Sequence, residues 1–518
     1  MRKLIILFIM TLALNACSSP AVPAQTDSDI VPEVVPTADD SGSVPVLKDE
    51  GFDILSMDWD DRSIFKSNLL SSQHEVLEQL PDAPVYHINM QIDDDLVNIT
   101  ANQEVRFTNQ EEIALEEVVF HLYPNILGGS LYFSNIQVGD MAISLAVQRP
   151  DPILRIPLES PIQPGERVTI KLDYMVTVPT EIDTNYGIFV FAENILALAH
   201  FYPTLAVFDE NGWDDEIPPK QGDFTYADVS FFVVRVTAPA DLVLAASGNA
   251  VDLGENDGHQ EVTFAAGPVR DFYLAASDSY ETFSKTVGDV TINSYAPKGY
   301  RAGAIFAMDS VEKALLDFTE QYGLYPYTEF DIVSTATYAY GVEYPGITAI
   351  GLHIYDISGS KDGVPISVFL ESTIVHEFGH QYFYNMVGND QLGEPWLDES
   401  LVQYVTWQYY KHLYGSGGEN GFAASLEGRW NRVDREKIPI GMPVAAYEGK
   451  EYGAIVYGRG AFFFKELEKI MGTEVFTGLL QAYIKTYSWE NASGENFKKL
   501  AESHCFCDLT PLFEEWVY

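Results

Sequence analysis

The stretch Val375-His376-Glu377-Phe378-Gly379-His380-Gln381-Tyr382-Phe383 sets two imidazoles four residues apart with a carboxylate between them. On a helix, residues i and i+4 share a face, so His376 and His380 can turn two ring nitrogens toward one ion. Glu377 is then rotated toward the same cleft, where a carboxylate can serve as a general base. Two histidines on a helix face also have a plainer reading as surface or core residues, and the motif alone does not choose. A hydrolytic zinc site needs three protein ligands and one open position. The choice therefore rests on a third ligand.

Downstream, "EPWLDESLVQYV" starts a second helix after Pro395, and eighteen residues separate His380 from Glu399. That gap suits a helix remainder, a turn and a second helix packed back against the first. A lone Glu on a helix usually faces solvent, but Trp396 and Leu397 just before this one are expected to bury the segment. His376, His380 and Glu399 are the expected ligands of one Zn2+ per chain.

The motif lies in the second half of a chain whose pattern changes along its length. From about Val85 the period is two: "HINMQID", "VNITANQEVRFTN", "LEEVVFHLY", "RVTIKLDYMVTV" and "SFFVVRVTAP" alternate apolar and polar residues. Turn signals such as Pro164-Gly165 and Asn211-Gly212 punctuate them. This predicts an antiparallel β domain over 81–285. Beyond it, "YRAGAIFAMDSVEKALLDFTEQYG" predicts an amphipathic helix ending at Gly323, and "EFDIVST" a short apolar strand. From "PISVFLESTIVHEFGHQYFYNMV" onward the chain reads as mostly helical, giving a second domain over 286–518. A lead-in helix is expected from about Arg62 to Leu80.

Composition narrows the partners. The chain has 518 residues and a net charge of −46. Such a surface repels phosphate backbones, so nucleic acid is not an expected partner. Asp93-Asp94-Asp95 reads as a solvated turn rather than a calcium site.

Arg2 and Lys3 precede the apolar run Leu4 to Leu14, an export signal too short to span a membrane comfortably. Leu14-Asn15-Ala16-Cys17 follows and resembles the bacterial lipobox, in which the cysteine thiol is acylated and becomes the mature N-terminus. The expected protein is extracytoplasmic and tethered to a bacterial membrane through lipid on Cys17. Residues 18 to about 52 are rich in Pro, Val, Asp and Ser, with Lys48 their only basic residue, and read as a disordered stalk leading on to 80. Cys505 and Cys507, one residue apart, read as packing cysteines or a local disulfide.

The motif, the eighteen-residue gap and Glu399 together resemble the gluzincin aminopeptidases of peptidase family M1. "YGVEYPG" (Tyr340 to Gly346) resembles that family's exopeptidase motif, with Glu343 on its acid and Gly341, Val342 and Tyr344 around it. "VYGRGAFFFKEL" is similar to the segment carrying the family's catalytic tyrosine, which falls on Tyr457. "HFYPTLAVFDENGW" and "VRDFYL" are similar to landmarks in its β domain. The resemblance covers roughly residues 80 to 518. It implies a saddle-like β domain followed by a thermolysin-like catalytic domain. It further implies that Glu377 moves the proton, that Tyr457 hydrogen-bonds the developing oxyanion, and that Glu343 pairs with the α-ammonium of a peptide substrate. Tyr340, Val342 and Tyr344 depart from the family's usual Gly, Met and Asn, so the first specificity pocket is expected to have its own shape. Arg459 stands where a Lys is frequent. The chain stops at Tyr518, leaving no room for the helical domain that roofs the cleft in many members, and a more open cleft is expected. An endopeptidase or oligopeptidase is the rival within this chemistry; a non-catalytic peptide-binding lipoprotein is the rival outside it.

Overall fold

The computed structural model describes residues 53–518 apart from 146–150, 183–184 and 224. The export signal, Cys17 and most of the acidic stalk lie outside the described residues.

The period-two stretches form an eight-stranded sheet. Its order is Asn249–Asn256, His259–Val269, Ser230–Pro239, Val85–Ile92, Asn98–Thr108, Arg167–Thr177, Ser130–Val138 and Met141–Ala142. Neighbours are antiparallel except for one pair, Val85–Ile92 beside Ser230–Pro239, which runs parallel. The alternation decides the faces: in Asn98–Thr108, Ile99, Ala101, Gln103 and Val105 are buried while Asn98, Thr100 and Asn102 are exposed. Asp95 caps the preceding turn by accepting from the amides of Val97 at 2.9 Å and Asn98 at 3.0 Å, a turn role for the acidic run.

A second, five-stranded sheet carries the helices. Its order is Tyr280–Val287, Val290–Pro297, Glu329–Thr335, Ile347–Gly351 and, at the edge, Gly341–Tyr344. The helix Arg301–Tyr322 connects two parallel neighbours of this sheet and ends at Gly323, whose φ of 116° a glycine adopts freely. The boundary expected at 285 is corrected by this pairing. It would cut the strand Tyr280–Val287, whose partner Val290–Pro297 is already part of the helix-bearing sheet, so the change of layer precedes Tyr280.

The lead-in helix expected over Arg62–Leu80 is also corrected. The segment makes three short turns, Ser63–Ser67, Ser71–Gln73 and Val76–Gln79. Its polar side chains bond both locally and at long range: Ser67 Oγ donates to the Ile64 carbonyl at 2.8 Å, and Asn68 Nδ2 donates to Asn249 Oδ1 on the edge of the eight-stranded sheet at 3.0 Å. Phe65 packs on Phe231, and the Leu70 amide donates to the Pro326 carbonyl at 2.9 Å, so the segment straps the two layers together.

Arg270, from "VRDFYL", is the central tie between the β layers and the motif. Its buried guanidinium donates to the carbonyls of Asn385 (3.0 Å), Ala227 (2.8 Å) and Glu490 (2.8 Å) and to Asn491 Oδ1 (2.7 Å). Gly388 makes the room: a Cβ there would lie 2.1 Å from Arg270 Cζ. The turn after His380 is thereby anchored. At the other end of the chain Arg459, fully buried, donates to the carbonyls of Ile438, Trp516 and Glu515 and holds the last helix. Cys505 and Cys507 are joined in a disulfide with a Cα–Cα distance of 5.1 Å.

Candidate metal centre and cleft

The motif helix spans Ile366–Gly379, with His380 as its C-cap. It is driven inward by Leu370, Ile374, Val375 and Phe378, all fully buried. The partner helix begins at Glu399 after the short turn Pro395–Leu397, with Trp396 packed among Phe463, Phe464, Phe497 and Phe513. The two helices cross closely at Gly379, where a Cβ would lie only 2.9 Å from Cγ1 of Val402. One turn before Val402, that crossing delivers Glu399 to the two histidines.

His376 Nε2 lies 3.0 Å from Glu399 Oε2 and 3.2 Å from His380 Nε2, and His380 Nε2 is 3.8 Å from Glu399 Oε2. Tetrahedral ligands about 2.0 Å from a zinc ion stand about 3.3 Å apart, so this triangle has the size such an ion requires. The rings are held in the right tautomer. His380 Nδ1 donates to Asp398 Oδ1 at 2.6 Å, which leaves Nε2 for a metal. The Gln403 amide lies 3.4 Å from His376 Nδ1, and its Oε1 is buried without a partner. With that amide turned over, the oxygen accepts the Nδ1 proton and frees Nε2 in the same way.

Electrostatics make the same point. Burial pushes Glu343 up to about 8 and Glu399 up to about 7. Burial, with neighbouring acids adding to it, holds Glu377 and Asp223 well above the usual carboxylate range. Burial drives His376 well below its ordinary value, whereas at His380 Asp398 and the nearby glutamates outweigh burial and raise it. Asp223, Glu343, Glu377 and Glu399 line one cleft, and a divalent cation is the partner such a donor set lacks.

Around the triangle opens a cleft of about 310 Å³, lined by residues including Asp223, Tyr340, Glu343, Glu377, Arg429 and Tyr457. The edge strand Gly341–Tyr344 forms one wall and is clamped to the motif helix by Gln381, which donates to the Tyr344 carbonyl at 3.0 Å and accepts from the Gly346 amide at 2.9 Å. Strand alternation decides which of its residues reach the cleft. Gly341 and Glu343 line it; Val342 and Tyr344 do not, which corrects the substrate-binding role expected for their side chains. Tyr344 stacks on Tyr273 at 4.0 Å in the core. Gly341 leaves room for Glu377, since a Cβ there would lie 2.5 Å from Glu377 Oε1. Tyr340 stands beside it, its hydroxyl accepting from Lys361 Nζ at 2.8 Å.

Tyr457 arrives on a π-turn, Ile455–Arg459, seated on the partner helix where Ser400 Oγ donates to the Val456 carbonyl at 2.7 Å. Its hydroxyl donates to Glu399 and lies 3.4 Å from Asp223 Oδ2. Asp398, Gln391, Asp223 and Arg429 had not been picked out in the sequence. Gln391 Nε2 joins Glu343 Oε1 (3.1 Å) to Asp398 Oδ2 (2.6 Å), and its Oε1 accepts the Thr225 amide at 2.9 Å. Asp398, adjacent to a ligand, is the one of these with a readable signal. Asp223 and Gln391 come from loops that only the fold brings near.

Residues 306–516 match the family model described as the peptidase family M1 domain. Curated relatives include "Probable aminopeptidase 2" of Sulfurisphaera tokodaii, 22% identical over 55% of this chain and 38% of its own length. Another is "Aminopeptidase M1" of Arabidopsis thaliana, 26% identical over 55% of this chain and 33% of its own length. The match thus spans under two-fifths of either relative. Among solved structures, an M1 zinc metallopeptidase from Deinococcus radiodurans aligns with a TM-score of 0.61 at 17% identity, over 84% of this chain and 94% of that one. The same protein has been solved with a Tyr-Ser-Ala substrate and aligns equally well, at a TM-score of 0.61. At such identity the likeness speaks for the fold, which is a β-rich N-terminal region followed by a helical one. Over residues 306–516, the helix-bearing part of the chain, the protein is thus similar to the peptidase family M1 domain.

Proposed function

We propose that this protein is a zinc metallopeptidase that removes N-terminal residues from peptides. The observation that carries the reading is the pairing of two features in one cleft: a ligand triangle of zinc dimensions with Glu377 beside it, and the buried carboxyl of Glu343 on the edge strand. His376, His380 and Glu399 would hold the metal. Bound zinc supplies a Lewis acid and acidifies a water at such sites. Glu343 then faces the substrate's free α-ammonium, which ends the cleft on the amine side. An ammonium left there without its carboxylate is costly to bury, and so is the carboxylate without its ammonium.

The test uses one peptide in free and N-acetylated forms. The free form is expected to be cleaved with a kcat/KM at least about a hundredfold higher, and Glu343→Ala to collapse that ratio chiefly by slowing the free peptide. Equal cleavage of both forms by the parent protein would replace this reading with the endopeptidase one. Metal analysis of the same preparation is expected to find one zinc per chain.

The site of action is proposed on the sequence alone. Arg2-Lys3, the apolar run and Leu14-Asn15-Ala16-Cys17 support an extracytoplasmic protein held to a membrane by lipid on Cys17. Native protein is expected to partition into detergent and Cys17→Ala not to. Unchanged membrane association of that variant would remove the anchor from Cys17.

A further inference from the structure

The far side of the cleft carries the opposite charge. Arg429 and Arg432 both line it, in a chain with 76 acidic and only 30 basic side chains. Among the described residues neither guanidinium makes an ion pair or a side-chain hydrogen bond, although Asp223, Glu343, Glu377 and Glu399 line the same cleft. Arg429 is half-buried and Arg432 exposed.

Their placement is built by the backbone. The helix Glu399–Trp430 is broken at Gly415, whose φ of 60° and ψ of −151° lie outside helical space. The second half turns back across the first, with Gly418 so close to the Tyr410 carbonyl that a Cβ would meet it at 2.3 Å. Its last turn then docks on the Tyr457 turn. Gly458 admits this contact, since a Cβ there would lie 2.9 Å from the Trp430 amide and 3.1 Å from Arg429 Cβ. Arg429 Cζ ends 5.8 Å from the centroid of the Tyr457 ring. Glu343 is joined through Gln391 to Asp398, the partner of His380, whereas Arg429 lies against Tyr457, whose ring centroid is 6.1 Å from that of His376. The acidic and basic ends of the cleft therefore lie on either side of the ligand triangle.

We propose that Arg429, with Arg432 behind it, binds the carboxylate that ends a di- or tripeptide, so that the cleft reads both termini of a short substrate. This rests on the peptidase reading, which fixes the direction of the chain: ammonium at Glu343, scissile carbonyl at the triangle, leaving residues toward Arg429. One extended residue spans about 3.3–3.6 Å, so a guanidinium this near Tyr457 lies one to two residues beyond the bond to be cut. Guanidinium suits the task because its planar donors match a carboxylate in pairs.

The experiment compares trialanine as the free acid and as the C-terminal amide. Binding is measured by calorimetry on metal-loaded Glu377→Gln protein, and turnover on the parent. The acid is expected to bind about tenfold or more tightly than the amide. Adding Arg429→Gln should make the two bind alike, while Arg429→Lys should retain part of the difference. Equal binding of acid and amide before any arginine is changed overturns the proposal, as does a difference that survives Arg429→Gln. The peptidase reading is judged separately by the parent's turnover. Cleavage of both peptides with equal binding removes the carboxylate anchor and leaves the peptidase; no cleavage of either removes the peptidase.

Discussion

Glu377→Gln is expected to keep the fold and the metal while lowering kcat by about two orders of magnitude or more. Glu377 follows His376 on the motif helix, is 4% exposed, and lies against the bare Cα of Gly341, so its carboxyl has little freedom to turn elsewhere. It is not one of the three atoms of the ligand triangle. Burial first, and then the neighbouring Glu343, raise its proton affinity well above that of an ordinary carboxylate. That is what a group needs if it is to take a proton from the attacking water and return it to the departing amine nitrogen. Glutamine fills the same volume and can still hydrogen-bond a water, but it cannot carry the proton. Loss should therefore fall on kcat, with KM changed little. Steady-state kinetics on a free tripeptide, with metal content measured on the same sample, decide it. A kcat within a few-fold of the parent would remove Glu377 from the proton path.

Much of this site was legible before the fold because its decisive spacings are local. His376, Glu377 and His380 are fixed by helix geometry within five residues, and the step to Glu399 needs only a turn and a second helix. The β-to-helical change of pattern was legible for the same reason, as a shift from period two to 3.6. What escaped reading depends on contacts distant in sequence. Asp223 reaches the cleft from the β layers, and Gln391 works only because Glu343, Asp398 and Thr225 converge on it. Val342 and Tyr344 were grouped with Glu343 by adjacency, although neighbours on a strand point to opposite faces. The lead-in helix failed where Phe65, Asn68 and Leu70 are held by partners distant in sequence, Phe231, Asn249 and Pro326. Arg429 depends on the break at Gly415, and the glycines that follow it, Gly417, Gly418 and Gly421, are the only local sign of the turn back.

Tyr457→Phe is expected to lower kcat by about 10²–10³ with KM nearly unchanged, and Tyr452→Phe to cost no more than a few-fold. The two tyrosines are five residues apart with ring centroids 5.6 Å from each other, so sequence alone assigns the role poorly between them. The fold separates them. The π-turn rotates Tyr457 into the cleft, where its ring centroid is 6.1 Å from that of His376 and its hydroxyl donates to Glu399. Tyr452 does not line the cleft; its hydroxyl abuts Gly222, where a Cβ would meet it at 3.0 Å. As water attacks, the carbonyl oxygen gains negative charge, and a phenol that stays protonated can donate to it. Burial first, then the nearby Glu399, holds the Tyr457 phenol well above its ordinary titration range, so it stays a donor. A bond that strengthens only as charge develops acts on kcat and not on ground-state binding. Removing one hydroxyl from packing would do far less, since the aromatic ring and its contact with the Arg429 guanidinium remain in the Phe variant. Both variants should be checked for metal content and thermal unfolding before their kinetics are compared. A crippled Tyr452→Phe beside a nearly normal Tyr457→Phe would move the oxyanion donor to the other tyrosine and overturn this assignment.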